Sequence, residues 1–215
     1  MRNVAIHATR LALMGLARLV TGVSPRWQGC GPSGEQRIYF ANHASHGDFV
    51  LIRTVLPPKL RAATRPVAGA DYWRRGAMRR FVGNDVFNAV LIERSETTAA
   101  RDVLAPIKTV LGEGASLIIF PEGTRNQTDA PLLPFKSGIY HIARAFPSIP
   151  LVPVWIENIG RVMPKGELLP VPLLCSVTFG APTRLQDGER RPAFLKRCEA
   201  ALMATAPGAE AGHGV

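Results

Sequence analysis

Arg37-Ile38-Tyr39-Phe40-Ala41-Asn42-His43-Ala44-Ser45-His46-Gly47-Asp48-Phe49-Val50-Leu51 runs from a short, largely apolar segment through polar punctuation into a second apolar segment. The first reads as a buried strand, Arg37 to Ala41, and the second as the start of a helix over Asp48 to Leu56. The same alternation recurs outward from this point. Further strands are expected at Val86 to Ile92, Ser116 to Phe120, Leu151 to Ile156 and Leu174 to Phe179. Further helices are expected at about Tyr72 to Phe81, Thr97 to Leu111, Ser137 to Phe146 and Arg191 to Ala204. Strands alternating with helices predict an α/β fold with a mostly parallel central sheet covered by helices. Pro57-Pro58 ends a helix, and the proline-rich stretch from Met163 to Pro172 reads as a long loop.

With 215 residues the chain holds one sizeable core. The expected organisation is an amino-terminal segment over 1–28, one domain over 29–206, and a small, polar tail over 207–215 that is expected to be disordered. In the first segment only seven uncharged residues, Leu11 to Ala17, lie between Arg10 and Arg18. That is far short of the ~20 needed for a helix to cross a bilayer. Arg2, Asn3, His7, Arg10, Arg18 and Thr21 gather on one side of a helical projection, and Val4, Ala8, Leu11, Ala12, Leu16, Leu19 and Val20 on the other; Ile6, Leu13 and Met14 stray to the polar side. A basic amphipathic helix of this kind lies in the headgroup region of a membrane or packs on the domain's own core. Trp27 fits an interfacial anchor or an ordinary core position.

The net charge is +10, and between Arg53 and Arg80 eight basic residues face the single acid Asp71. Such a field attracts nucleic acid, anionic lipid or an acidic carrier protein, or is simply a solvated face. Nucleic acid is disfavoured as a partner, because no recognised binding module accompanies the charge and aromatic residues make up only 7% of the chain. Cys30, Cys175 and Cys198 are odd in number and widely spaced, which indicates neither a disulfide framework nor a zinc site.

His43 and Asp48 stand five positions apart. On a continuous helix that spacing separates side chains by roughly 140°, so the two meet only if the backbone turns between them. Gly47 supplies freedom for a turn, and Ser45 or Asp48 can cap the helix that follows. Asp48 would then accept from one imidazole nitrogen and leave the other free to take a proton from a hydroxyl, which is general-base chemistry. The same residues also fit a helix cap beside a loop histidine. His46, three residues from His43, lacks the carboxylates of a metal site, and no metal is expected. The absence of a G-x-S-x-G elbow disfavours an acyl-enzyme, and the absence of a phosphate loop or dinucleotide fingerprint disfavours nucleotide-driven and redox chemistry.

Leu117-Ile118-Ile119-Phe120 is followed by Pro121-Glu122-Gly123-Thr124-Arg125, which places these residues at a strand's carboxyl end, where open sheets bind ligands. Gly123 lets the backbone approach a ligand closely, Arg125 can clamp a phosphate, and Glu122 can orient that arginine or bond a hydroxyl. Arg94 ends a second expected strand, and Lys136 precedes the Ser137-Gly138 helix start, a natural anion site. Taken singly each basic residue reads as a surface charge; together, beside His43, they read as an anion pocket.

The ordered set Asn42-His43-x4-Asp48, Ile92-Glu93-Arg94, Phe120-Pro121-Glu122-Gly123-Thr124-Arg125 and Leu151-Val152-Pro153-Val154 resembles the glycerolipid acyltransferase family, in particular its small bacterial 1-acyl-glycerol-3-phosphate acyltransferases. The resemblance runs from about Ile38 to Ile156. It implies that His43 is the base and Asp48 its partner, that Arg94, Glu122, Gly123 and Arg125 bind the acceptor, and that the Val152 to Val154 strand supports the acyl site. It implies acylation of the free hydroxyl of 1-acyl-glycerol-3-phosphate to give phosphatidic acid, with acyl-CoA or acyl-acyl-carrier-protein as co-substrate and no cofactor. It further implies a place at the bacterial inner membrane, peripheral or monotopic on the cytoplasmic face. Backbone N–H groups near Gly123 or in the Gly47 turn are candidate donors to the tetrahedral intermediate. The family's usual second motif has aspartate before the arginine; Glu93 here lengthens the acid by one methylene, which leaves the acceptor open to glycerol-3-phosphate or a lyso-aminolipid. A non-catalytic basic membrane-binding protein is the remaining alternative.

Overall fold

The computed structural model describes residues 2–93, 100–157 and 174–208. Seven strands form one sheet: β1 (Ser24–Trp27), β2 (Ile38–Ala41), β3 (Thr64–Gly69), β4 (Val90–Ile92), β5 (Ser116–Ile119), β6 (Leu151–Glu157) and β7 (Ser176–Phe179). Their order is β1-β7-β6-β2-β5-β3-β4, and among the described residues only the β6–β7 strand pair is antiparallel. The helices are α1 (Arg2–Thr21), α2 (Asp48–Val55), α3 (Pro58–Ala63), α4 (Ala70–Trp73), α5 (Ala77–Arg80), α6 (Ala100–Gly112), α7 (Gly138–Ala145) and α8 (Arg191–Met203), with a π-helical turn over Phe81–Val86.

The central strands β2 and β5 are buried along their full length, because both faces of the sheet are covered. One face packs Tyr39, Ala41, Ile118, Val152 and Val154 against Phe49, Leu51 and Ile52 of α2. The other packs Ile38, Phe40, Leu117 and Ile119 with Ile107 of α6, Ile139 and Ile142 of α7 and Phe194 of α8. β2, β5 and β6 run parallel and side by side, so their carboxyl ends open on one edge.

Several expectations are corrected. Two strands lacked a recognisable pattern: β1 carries Ser24, Pro25 and Arg26, and β3 begins with Thr64-Arg65-Pro66, residues unlike a buried strand. β1 lies within the segment assigned to the amino terminus, yet it pairs with β7. The strand expected at Val86 to Ile92 shortens to Val90–Ile92, since Val86 closes the π-helical turn and Asn88 turns the chain with φ of 53°. The helix expected at Tyr72 to Phe81 is broken at Gly76, whose φ is 84°. The Met163 to Pro172 loop, the start of the helix expected from Thr97, and most of the tail lie outside the described residues.

α1 has the length and hydropathy of a membrane-crossing helix, yet little of it is buried. It packs along α2 and the π-helical turn. Met14 is buried there, with Leu13, Ala17 and Val20 packed against the core. Leu13 and Met14, which blurred the two-sided pattern in the sequence, are therefore among the contacts to the domain. Val4, Leu11, Leu16 and Leu19 point away and are 73, 52, 57 and 83% exposed. Trp27 stacks on Phe179 at 4.0 Å and is partly buried, so it serves the core.

Candidate active site

β2 ends at Ala41, and the next residue fixes the exit. The Asn42 side chain accepts from the Ile156 N–H at 2.8 Å and donates to the Ile156 carbonyl at 3.0 Å, extending the β2–β6 ladder through an amide side chain. His43 follows at the open edge. α2 begins at Asp48, with Gly47 as its N-cap residue in ordinary helical geometry, φ −82°. Gly47 therefore needs no special freedom, and neither Ser45 nor Asp48 caps the helix in the usual way; the Ser45 hydroxyl accepts from the Gly47 N–H at 3.2 Å.

The Asp48 carboxylate turns back instead. Its Oδ2 lies 2.8 Å from His43 Nδ1 and also accepts from the Ala44 N–H at 2.8 Å, while Ser45 N–H reaches both oxygens. Asp48 is completely buried, and Phe120 stacks on the His43 ring at 4.3 Å between centroids. A carboxylate held by backbone donors can only accept, so Nδ1 carries the hydrogen and Nε2 presents a lone pair. The same carboxylate holds the Ala44–Ser45 turn before the helix and orients the imidazole.

Glu122 occupies a different place from the one its motif suggests. It is 1% exposed, and its Oε1 accepts from the His43 N–H at 2.7 Å while Oε2 accepts from the Leu133 N–H at 2.9 Å. Burial raises its pKa above the ordinary carboxylate value, against the lowering effect of those two hydrogen bonds. Glu122 thus ties the loop after β5 to the histidine, and is absent from the cavity wall. The Asn126 N–H to His43 carbonyl bond, 2.6 Å, adds a second tie between the same loops.

Gly123 adopts φ of 74°, and a Cβ there would stand 3.1 Å from Lys136 Cγ. The position requires glycine both for its backbone and to admit the Lys136 stem. Its N–H is bonded to the Phe120 carbonyl, and the Gly47 N–H to Ser45, so these two N–H groups are engaged within their own turns.

His43, Gly123, Thr124, Arg125 and Lys136 line one cavity of about 680 Å³. Ser137 and Gly138, at the amino end of α7, complete its polar side, and His141 one turn on also reaches it. The remaining wall is mostly apolar, with Phe49 and Trp73 toward α2 and Ile107, Ile119, Ile139 and Ile142 between α6 and α7; Asp71 is its one acid among the described residues. His46, also on the wall, stacks on Tyr72 at 4.0 Å, and Arg79 covers Tyr72 at 4.4 Å. His46, Tyr72 and His141 were not singled out as pocket residues in the sequence, since nothing in their local spacing marks them. Arg94 lies outside the described residues. Glu93, the lengthened acid, pairs with Arg74.

The sequence pattern of the Acyltransferase family matches residues 25–157, from β1 to the end of β6, and so includes every cavity residue named above. The chain belongs to the Acyltransferase family. Its similarity extends to proteins named 1-acyl-sn-glycerol-3-phosphate acyltransferase: one from Cocos nucifera, 32% identical over 73% of this chain and 49% of that protein, and one from Escherichia coli K12, 31% identical over 61% and 51%. The chain spans about half the length of these curated relatives. The fold is shared with the crystal structure of the 1-acyl-sn-glycerophosphate (LPA) acyltransferase PlsC from Thermotoga maritima, with a TM-score of 0.71 at 20% identity over 97% of this chain and 80% of that one. In this member of the family the matched region ends where β6 ends, leaving α1, β7 and α8 as elements outside the family pattern.

Proposed function

We propose that this chain transfers a fatty acyl group from a thioester to the free hydroxyl of 1-acyl-glycerol-3-phosphate, giving phosphatidic acid. The observation that supports this reading best is the 2.8 Å His43–Asp48 contact on the wall of a cavity that is cationic on one side and apolar on the other. An acceptor of this kind has a phosphate, a hydroxyl and an aliphatic chain. Arg125, Lys136 and the α7 amino end suit the phosphate, and the isoleucine wall suits an acyl chain.

In the proposed reaction Nε2 of His43 removes the hydroxyl proton as the oxygen attacks the thioester carbonyl carbon. The imidazolium is stabilised by Asp48. The tetrahedral intermediate then expels the thiolate, which takes the proton back from Nε2. The Thr124 and Arg125 N–H groups, on the cavity wall and without an acceptor among the described residues, are the donors we assign to the oxyanion. Glu122 acts through His43 as a positioning residue. The thioester is acyl-CoA or acyl-acyl-carrier-protein, and no cofactor or metal enters the scheme.

An apolar amino-terminal helix is consistent with membrane association. We place the outward face of α1 in the interfacial region of the membrane, on the cytoplasmic side where such thioesters are made, with the domain held against it by Leu13 and Met14. The exposed run from Arg74 to Arg80, beside the cavity residues Tyr72 and Trp73, raises the rate of encounter with anionic lipid or an acidic carrier. Supplying purified protein with glycerol-3-phosphate, lysophosphatidic acid and a lyso-aminolipid, each with both thioesters, tests the reading. Turnover of lysophosphatidic acid above the others is expected; preference for a headgroup without a phosphomonoester would overturn the acceptor assignment.

A further inference from the structure

α1 lies over a group of arginines that the catalytic cavity does not use. Arg53, in the last turn of α2, is 3% exposed; it donates through Nη1 to the Thr64 carbonyl and its guanidinium sits 5.8 Å from the Phe87 ring centre. Arg61 of α3 donates through Nη2 to the carbonyls of Thr54, at 3.1 Å, and Leu56, at 2.8 Å. Arg10 of α1 donates through Nε to the Val86 carbonyl at 2.6 Å, one residue before Phe87. The buried Nε atoms of both Arg53 and Arg61 have no acceptor. Arg18, two turns beyond Arg10 on α1, is exposed and acts electrostatically on Arg61. Among the described residues none of the four is paired with a carboxylate. Burial first, then Arg10 and Arg61, bring the Arg53 pKa down to about 10.

Buried charge is ordinarily matched by an opposite charge and complete hydrogen bonding. The carbonyls of Thr54, Leu56 and Val86 end helical segments and supply partial negative charge, which offsets part of the repulsion. They leave two Nε–H groups unsatisfied and four positive charges without an anion. A compact group with several acceptor oxygens is the missing complement, and guanidinium groups suit phosphate oxygens. Thr64 begins β3, so this group sits at the amino-terminal edge of the parallel strands, opposite the edge that carries His43. On the helical projection Arg18 borders the outward apolar sector of α1. A phosphate held here by a lipid would leave that lipid's chains alongside Leu11 and Leu19.

We propose that Arg10, Arg18, Arg53 and Arg61 form a second anion site beneath α1, separate from the catalytic cavity, that takes the phosphate of an anionic lipid headgroup. The proposal rests on the membrane reading of α1 and is independent of the acyl-transfer reading, because its test measures binding. The full chain is compared with the R18Q/R61Q variant and with R190Q/R191Q, which removes the same charge from an exposed site on the α8 side of the protein. Each is sedimented with phosphatidylcholine vesicles, alone and with added phosphatidylglycerol, and each is melted with and without inorganic phosphate at constant ionic strength. R18Q/R61Q is expected to lose about tenfold or more of its partition onto anionic vesicles and to keep its partition onto neutral ones; its Tm without phosphate falls only by what the lost Arg61 carbonyl bonds contribute. A headgroup source predicts that the loss on vesicles exceeds any loss of phosphate-induced Tm shift; a Tm shift lost with vesicle partition unchanged would replace the lipid by a soluble phosphate ligand and overturn the headgroup assignment. Equal losses in R18Q/R61Q and R190Q/R191Q would reduce the effect to diffuse charge. A drop in Tm that is the same with and without phosphate, with vesicle partition unchanged, would make the arginines carbonyl caps only and overturn the site.

Discussion

Glu122 holds two inward-pointing N–H groups with its two oxygens, and glutamine can satisfy only one of them while turning an amide NH2 toward the other. Glu122→Gln is therefore expected to cost about 1–3 kcal/mol of stability, read as a lower denaturant midpoint at unchanged slope. It is also expected to lower kcat more than it raises KM, because the residue it displaces is His43. A rise in KM with kcat intact would instead place Glu122 in acceptor binding. Asp48→Asn keeps the size of the side chain but offers an amide to Nδ1 and to the Ala44 N–H, so a fall in kcat of about 10²-fold or more is expected, with near-native circular dichroism. The His43–Asp48 pair was legible as one of two readings, because a strand end followed by a helix start allows a turn that brings the two together; the contact needed no special freedom at Gly47. The role of Glu122 was not legible, since a motif names residues without saying whether a side chain faces the ligand or the scaffold.

Among the elements, α1 divides its apolar residues between two partners. Leu13 and Met14 face the domain, and Leu11 and Leu19 face outward. L11D/L19D is expected to abolish sedimentation with vesicles and to leave transfer to a short-chain acceptor in free solution within about twofold of wild type, since no α1 residue in the outward sector lines the catalytic cavity. Loss of both activities would show that the outward face also holds the domain together. At the other end, Arg197 of α8 forms a two-bonded pair with Glu189, at 2.8 and 2.6 Å. The arginine holds the Glu189 pKa below its ordinary 4.5. A folded-state value below the unfolded one contributes stability above pH 4.5 and loses it as pH falls through the lowered value. Glu189→Gln is thus expected to lower Tm by roughly 2–4 °C near pH 7, with the difference from wild type closing at acid pH; a pH-independent difference would mean that the charge is not what matters. The strands β1 and β3 escaped the sequence because Pro25, Arg26, Arg65 and Pro66 are chosen for pairing at a sheet margin and at a strand start, not for apolar pattern.

For the molecule as a whole, parallel pairing of β2, β5 and β3 sets three strand exits on one edge, and residues just beyond each of them line one cavity. For β2 and β5 that much followed from strand periodicity and the position of each motif after its strand. The shape of the cavity did not, because Phe49, Trp73, Ile107 and Ile142 come from four elements whose packing no local pattern encodes. The mixed wall, cationic beside His43 and apolar beyond it, is what the proposed reaction depends on. The most direct test supplies the purified full chain and its H43A variant with a defined lysophosphatidic acid and a labelled acyl thioester, and follows the lipid products by mass spectrometry. Labelled phosphatidic acid from the wild type and none above background from H43A, with both proteins melting alike, is the predicted result; phosphatidic acid formed at an equal rate by the two proteins would contradict it.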